Sequence, residues 1–188
     1  MTTIIFAHPW HGSFNKAILD TVVDALSTKE TEYQIIDLHK DNFNPVMSEK
    51  ELSVYNEGKY LDPLVKKYQD MILMSNDLIF IFPDWWSSMP AILKGFFDKV
   101  FLKNFAFDYL DNSWKELLDI PNSLMITTSA QPTENLINFG DIYNNMASNI
   151  LNSVGIKNTL WLNCGLIEAE FTDKKAFLET VYQCIISR

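Results

Sequence analysis

The sequence predicts an α/β protein built on a doubly wound, five-stranded parallel sheet. Two observations predict this fold class. Short apolar runs of strand length alternate along the chain with segments whose apolar residues recur at helical spacing. One of these runs, residues 78–82, consists of Leu, Ile and Phe without polar alternation, which indicates burial on both faces of a sheet. Strands of that kind, joined by right-handed helical crossovers, form a parallel sheet.

The predicted elements follow one another in a regular order. Strands are expected at residues 2–7, 33–38, 78–82, 123–128 and 158–163. Helices are expected from residue 14, from Pro63 behind an Asp62 N-cap, over 90–101, from about 140 to a stop at Gly155, and from a Thr172 cap to residue 186. Residues 41–59 and 103–122 are longer than a crossover needs, and ordered insertions of that length are usually functional or interfacial.

Composition limits the classes of function. A chain of 188 residues with 47% apolar side chains is expected to form one domain over residues 1–188, with one well-buried core. The formal charge of −9 argues against binding to nucleic acids or to anionic membranes. The first residues lack a basic leader and no apolar run is long enough to span a bilayer, so a cytoplasmic protein without membrane insertion is expected. Cys164 and Cys184 lack metal-ligand spacing, are expected to be reduced core thiols, and predict no metal site.

The first loop of interest joins the first strand to the first helix. Ligands of open parallel sheets bind beyond the carboxyl ends of the strands, where the strand order reverses. Residues 8–15 read His-Pro-Trp-His-Gly-Ser-Phe-Asn. Amides at the helix N-terminus, together with the Ser13 hydroxyl and the Asn15 amide, suit a phosphate without a lysine, and His8 adds a hydrogen bond. The alternative is that Ser13 only caps the helix and His8 is an ordinary loop histidine.

Two further loops end at the same edge of the predicted sheet. Residues 83–86 read Pro-Asp-Trp-Trp, and large aromatics at a strand end suit a flat apolar ligand. A hydrophobic lid or a dimer surface is the alternative. Residues 127–129 read Thr-Thr-Ser, whose hydroxyls serve either as ligands or as strand-end caps. The agreement of three loops on one edge predicts a binding site there.

Five motifs occur in the order found in the NAD(P)H:quinone oxidoreductases, which this chain resembles over about residues 3–130 in register and more weakly to the end. Residues 8–9 with 13–15 resemble the flavin-phosphate loop of that family. The most specific match is residues 83–86 followed by Pro-Ala-Ile-Leu-Lys-Gly at 90–95 and Val-Phe at 100–101. The remaining matches are Asn-Phe-Asn-Pro at 42–45, Tyr-Asn-Glu-Gly at 55–58 with Pro63, and Ile-Thr-Thr at 126–128.

The resemblance implies a flavodoxin-like fold of strand order 2-1-3-4-5 that binds flavin at the sheet edge. FMN is expected, with FAD as the alternative, and NAD(P)H is expected as co-substrate. The implied flavin contacts are His8, Phe14 and Asn15 at the phosphate, Pro83, Asp84, Trp85 and Trp86 along the isoalloxazine, and Thr127 and Thr128 on its other side. Ser13 and Ser129 are included in this candidate site because they lie in the first and third loops, independently of the resemblance. The family implies a homodimer whose substrate pocket lies at the interface.

The expected function is flavin-dependent NAD(P)H oxidation with two-electron, ping-pong reduction of quinones or similar flat acceptors. The chain departs from the family in three places. Ser129-Ala130 stands where glycines are usual, and Asp84 stands where an apolar residue is common. Residues 133–142 contain neither the tyrosine nor the histidine that assists hydride transfer in larger relatives, so no catalytic side chain is assigned. Two alternatives stay open: a regulatory flavoprotein similar to the ancillary subunits of bacterial potassium-efflux systems, and a flavodoxin-like electron carrier.

Overall fold

The computed structural model describes residues 1–188 and contains seven strands. The strands are β1 (Thr2–Phe6), β2 (Tyr33–Asp37), β3 (Asp77–Pro83), β4 (Phe107–Leu110), β5 (Ser113–Glu116), β6 (Asn122–Thr128) and β7 (Thr159–Cys164). Five of them form a parallel sheet in the order β2-β1-β3-β6-β7. The predicted order 2-1-3-4-5 is therefore confirmed, and all five observed strands begin and end within one residue of the predicted ones.

Seven α-helices connect and cover the strands. They are α1 (Phe14–Thr28), α2 (Glu49–Val54), α3 (Pro63–Leu73), α4 (Ala91–Val100), α5 (Thr133–Asn138), α6 (Ile142–Met146) and α7 (Lys174–Ser187). N-capping side chains determine where α1 and α3 begin. The Ser13 hydroxyl accepts from the Lys16 N–H, and the Asp62 carboxylate, ahead of Pro63, accepts from the Leu64 N–H. None of the helices is both long and apolar enough to cross a membrane.

The core lies on both faces of the sheet. Along β3, Ile79 and Ile81 point into a cluster packed under α1 and α7, whereas Phe80 and Phe82 point into a larger cluster on the opposite face. All four side chains are almost completely buried. The absence of polar alternation in this strand is explained by the two apolar layers that it separates.

The helices after β6 differ from the prediction in three details. The helix expected from about residue 140 to Gly155 begins at Ile142 and is irregular: α6 continues into a π-helical turn over Ala147–Leu151 and a 3-10 turn over Asn152–Val154, and Gly155 ends the segment with φ +92°. Helix α5 was not predicted. The last helix is capped by Asp173, which accepts from the Ala176 N–H, and not by Thr172.

Both insertions form ordered structure that the sequence analysis did not predict. Residues 41–59 contain α2, which the buried Lys99 ammonium ties to α4 through a 2.8 Å ion pair with Glu51. Residues 103–122 form the hairpin β4–β5, in which Phe107 and Trp114 stack with their ring centroids 4.2 Å apart. The hairpin leaves Tyr109 and Trp114 about half exposed.

Candidate functional site

A cleft of about 430 Å³ opens at the carboxyl ends of β1, β3 and β6. Its volume lies within the ~300–1,000 Å³ range of small-molecule sites. Eight of the eleven predicted cofactor residues line it: His8, Ser13, Phe14, Asn15, Pro83, Asp84, Trp85 and Thr128. The parallel register places these loops together, because β3 pairs with both β1 and β6 and all three strands point the same way. That these residues contact a flavin stays a prediction.

The first loop brings unused polar groups to the cleft at the start of α1. The N–H groups of Phe14 and Asn15 have no acceptor in the protein, as expected in the first turn of a helix. Asn15 is 3% exposed, and its side-chain nitrogen donates to the Thr128 hydroxyl over 2.9 Å. The Asn15 Oδ1 atom is buried without a hydrogen-bond donor. A buried acceptor without a donor is costly, so this atom indicates a ligand that carries a hydroxyl or an N–H.

The surroundings of His8 favour its neutral form. Its Nδ1 lies 3.1 Å from the Trp10 N–H and 3.2 Å from the Trp10 carbonyl oxygen. Partial burial lowers the pKa of His8, and the neighbouring His39 and His11 lower it further by repulsion, although the backbone of Trp10 opposes the shift. The His8 ring lies 6.2 Å from the ring of Trp85, so the first and second loops meet here. His8 therefore offers the cleft a hydrogen-bonding group without a full charge.

The second loop is held by its own backbone. The Asp84 N–H donates to the Thr128 carbonyl over 2.7 Å, and the Trp85 N–H donates to the Ser88 carbonyl over 2.9 Å. Trp86 and Ser87 both adopt left-handed φ values, +58° and +54°, which cost free energy in non-glycine residues. Their N–H groups have no acceptor in the protein. Trp86 is fully exposed and does not line the cleft, unlike the half-exposed Trp85 that does.

The hydroxyls of the third loop are mostly used inside the protein. Thr127 is buried between strands, where it donates to Asn163 and accepts from the Trp161 indole. Ser129 is 1% exposed and donates to the Gln131 carbonyl. Only Thr128 reaches the cleft with its side chain. At Thr127 and Ser129 the side chains act as strand-end caps, the alternative that the sequence left open.

Several cleft residues were not identified from the sequence. They are Trp10, Gly12, Ala130, Ile167, Glu168 and Lys174. Lys174, the first residue of α7, is the only lysine or arginine that lines the cleft, and its ammonium lies 5.9 Å from the centre of the Phe14 ring. The sequence did contain one indication of Lys174. This residue begins the helix that follows the fifth strand, and that strand ends at the same edge of the sheet as the three loops.

A tyrosine also reaches the second loop. Tyr143 is the first residue beyond the segment 133–142 in which the sequence shows neither tyrosine nor histidine. It is completely buried, and its hydroxyl donates to Asp84 Oδ1 over 2.6 Å. The Asp84 carboxylate is therefore anchored to the protein and does not point freely into solvent.

The chemistry of this donor set fits a flavin. A ribityl phosphate presents hydroxyl donors next to phosphate acceptors, which match the unpaired Asn15 Oδ1 and the free N–H groups of Phe14 and Asn15. An aromatic ring system carrying carbonyl acceptors matches the Trp85 ring, and the free N–H groups of Trp86 and Ser87 follow that residue in the chain.

Comparisons with known proteins agree with this geometry. A family model described as flavodoxin-like fold matches residues 1–179. The uncharacterized NAD(P)H oxidoreductase YcaK of Escherichia coli K12 is 34% identical over 105 residues, which cover 55% of this chain and 54% of that protein. The chain thus spans about half the length of the curated relatives that it matches.

Two solved structures match almost the whole chain. Smu.1420 from Streptococcus mutans UA159 superposes with a TM-score of 0.88 at 30% identity, covering 100% of this chain and 99% of that one. The NAD(P)H:quinone oxidoreductase from Methanothermobacter marburgensis gives a TM-score of 0.88 at 27% identity, covering 98% and 96%. The protein is an open parallel α/β protein with its cleft at the carboxyl edge of the sheet, where the strand order reverses. It belongs to the flavodoxin-like fold family.

Proposed function

We propose that this protein is a flavin-dependent NAD(P)H oxidoreductase that reduces quinones or similar flat acceptors. The observation that carries the proposal is the set of unused polar groups in the cleft: free amides at the start of α1, an acceptor without a donor at Asn15, and a single cation at Lys174. Similarity over nearly the whole chain to a protein named NAD(P)H:quinone oxidoreductase supports it.

The phosphate end of the cofactor is assigned to the start of α1. The helix is 15 residues long, so its N-terminal amides carry the partial positive charge that favours a phosphate. Lys174 adds a full positive charge from α7, on the side of the Phe14 ring. FMN is the proposed cofactor and FAD is the alternative, because this anchor recognises the phosphate that both carry.

The ring end is assigned to the second loop. Trp85 supplies an aromatic wall, and the backbone at Trp86 and Ser87 supplies two donors that the protein does not use. Bound flavin supplies hydride acceptance from a nicotinamide and hydride delivery to the acceptor. Trp85 and the backbone of the second loop would hold the ring, and the Trp85 side chain would shield it from water. The site residues named here are therefore proposed to bind and orient, and no side chain is assigned as a catalytic acid.

A homodimer is part of the proposal. Trp86 is completely exposed, Phe139 is 70% exposed, and the hairpin presents Tyr109 and Trp114 at 57% and 46%. Exposed aromatics of this number are typical of the centre of a symmetric interface. Sedimentation equilibrium at micromolar concentration is expected to give twice the chain mass of 21.7 kDa. A species of the chain mass alone contradicts the dimer without affecting the flavin assignment.

The experiment that tests the function begins with the cofactor. Calorimetric titration of flavin-free protein with FMN and with FAD is expected to show binding of at least one at micromolar affinity or better, and mass spectrometry of released cofactor identifies the native one. Stopped-flow mixing of the loaded protein with NADH or NADPH is then expected to bleach the flavin, and a quinone is expected to restore its absorption. Absence of binding by either flavin contradicts the entire proposal. Binding without reoxidation by any quinone contradicts the acceptor class only.

A further inference from the structure

The carboxylate of Asp84 is unusual among the cleft residues. Its only hydrogen-bond donor is the Tyr143 hydroxyl, 2.6 Å from Oδ1, and no lysine, arginine or histidine lies within ion-pair distance of it. The adjoining backbone is fixed, since the Asp84 N–H donates to the Thr128 carbonyl. The carboxylate is thus an acidic group of the cleft that is held in place but not neutralised.

Tyr143 is built to hold that position. The ring is completely buried, with its centroid 5.1 Å from the ring of Trp161 and 5.7 Å from the ring of Phe82. Trp161 is itself fixed by a hydrogen bond from its indole to Thr127. Burial, and the hydrogen bond to Asp84, raise the pKa of Tyr143, so the hydroxyl stays a donor. Because the Tyr143 hydroxyl is held rigidly, it also fixes the position of the Asp84 Oδ1 atom that accepts from it.

The other charged groups of the cleft do not cancel this carboxylate. Glu168 is also acidic, His8 has a lowered pKa, and Lys174 lies against Phe14 on the phosphate side. A flavin reduced by a hydride gains two electrons and one proton, so its ring system gains one negative charge. A fixed anion beside the ring therefore opposes the reduced form more than the oxidised form.

We propose that Asp84, positioned by Tyr143, lowers the reduction potential of the bound flavin by selectively weakening the binding of its reduced form. This inference rests on the proposed function. Asp84 is the group that acts on the ring, and Tyr143 is a positioning residue that acts through Asp84. The pair places an electrostatic contact at the second loop, and so favours electron delivery to acceptors of lower potential.

The test compares loaded wild-type protein with Asp84→Asn, Tyr143→Phe and the distant control Tyr182→Phe, whose hydroxyl contacts Thr28. The midpoint potential is measured by equilibration with a reference dye, and the dissociation constant for oxidised flavin is measured separately. In Asp84→Asn the ratio of reduced to oxidised flavin at fixed potential is expected to rise about tenfold, equivalent to about 30 mV for a two-electron couple. Affinity for oxidised flavin is expected to stay within a factor of two.

Tyr143→Phe is expected to move the potential in the same direction but by less, since the charge remains and only its position is released. Tyr182→Phe is expected to leave the potential unchanged. An unchanged potential in Asp84→Asn overturns the inference while leaving flavin binding intact. A shift in Asp84→Asn with none in Tyr143→Phe overturns the positioning role. Should Tyr143→Phe fail to fold, Asp84→Ser provides the second test of the charge. A wild-type protein that binds neither flavin overturns the proposed function, and this inference with it.

Discussion

The two edges of the sheet carry cavities of similar size. The cleft at the carboxyl ends of the strands measures about 430 Å³, and a cavity at the amino ends, lined among others by Lys29, Asp77 and Arg188, measures about 460 Å³. Size therefore does not distinguish the candidate site from a surface depression. The difference between the two edges lies in what their polar groups already contact.

At the amino edge the charged groups are paired. Arg188 contacts Asp77 over 2.6 Å and also reaches the Ser123 carbonyl, while the Lys29 ammonium donates to the Ile185 carbonyl over 3.1 Å. The Arg188 contacts join the end of α7 to the starts of β3 and β6, and the Lys29 contact joins the end of α1 to α7. The polar groups of this cavity are explained by the stability of the fold.

At the carboxyl edge the polar groups are not all paired. Asn15 Oδ1 has no donor, four N–H groups of the two loops have no acceptor, and Lys174 makes no ion pair. Unused hydrogen-bonding capacity is a cost in the free protein that a ligand removes. The comparison teaches that unpaired polar groups mark the site better than volume does.

The largest expected effect is a loss of flavin affinity when the phosphate-binding side chains at the start of α1 are removed. The double variant Ser13→Ala/Asn15→Ala is expected to lose at least about 100-fold in flavin affinity, because charge-assisted bonds contribute roughly 1.5–3 kcal/mol each. The matched control at the amino edge is Thr31→Ala/Asn122→Ala, which is expected to bind normally. Calorimetry on both variants gives the comparison. Equal affinities would erase the distinction between the two edges.

The next effect concerns stability at the amino edge. Arg188→Gln is expected to lower the free energy of unfolding by ~1–3 kcal/mol, because it leaves the largely buried Asp77 without its cation. Flavin affinity is expected to be unchanged.

The destabilisation is also expected to depend on pH. Burial raises the pKa of Asp77 even beside Arg188, so the folded variant takes up a proton more readily than the unfolded chain. The destabilisation should therefore shrink as the pH falls toward the ordinary value of 3.8. Urea unfolding at several pH values measures this, and reduced flavin affinity would contradict the assignment.

A smaller effect is expected at Lys174. Because its side chain is exposed, Lys174→Gln is expected to weaken flavin binding by about 1 kcal/mol, or roughly fivefold, with less dependence on salt than the wild type shows. The neighbouring Lys175→Gln removes the same charge outside the cleft. Titrations at two ionic strengths separate a direct contact from a general charge effect. The same loss in both variants would show that only net charge matters.

The smallest effect is a pH dependence at His8. Burial lowers the pKa of His8 below its ordinary 6.5, so the unfolded chain binds a proton at a pH where the folded chain does not. Stability is therefore expected to fall as the pH drops through 6.5. In His8→Gln this fall should be smaller, by a few degrees in Tm. Thermal melts between about pH 5 and pH 7.5 test it. Parallel curves for the two proteins would exclude a contribution from His8.

Much of the fold was predictable because its signals are local. Residues 78–82 show their burial in their composition alone, and Asp62 with Pro63 marks a helix start within two residues. The change from α-helical to π-helical and 3-10 geometry after Met146 was not predictable in this way. No residue of the segment signals that change locally, and the segment packs on the sheet through contacts of Tyr143 with Phe82 and Trp161.

The candidate site was also predictable only where its signals are local. The strand-end loops were identified because each follows an apolar run, and parallel strands bring their carboxyl ends together. The roles of Thr127 and Ser129 were not resolved, since a hydroxyl that caps a neighbouring strand has the same sequence signal as one that faces a ligand. Only the contacts with Asn163 and Gln131 distinguish the two.

The sequence by itself determined the fold class and the edge of the sheet at which the loops meet, because periodicity and strand-end composition are properties of short segments. The strand order was implied by the resemblance of five motifs to the NAD(P)H:quinone oxidoreductases. Tertiary structure alone decided that Lys174 enters the cleft and that Tyr143 holds Asp84, 59 positions away in the chain. The physical reason is that the first contact depends on where the chain after β7 places α7. The second depends on where the crossover between β6 and β7 places α6. That placement is set by the packing of the whole sheet and by no local pattern.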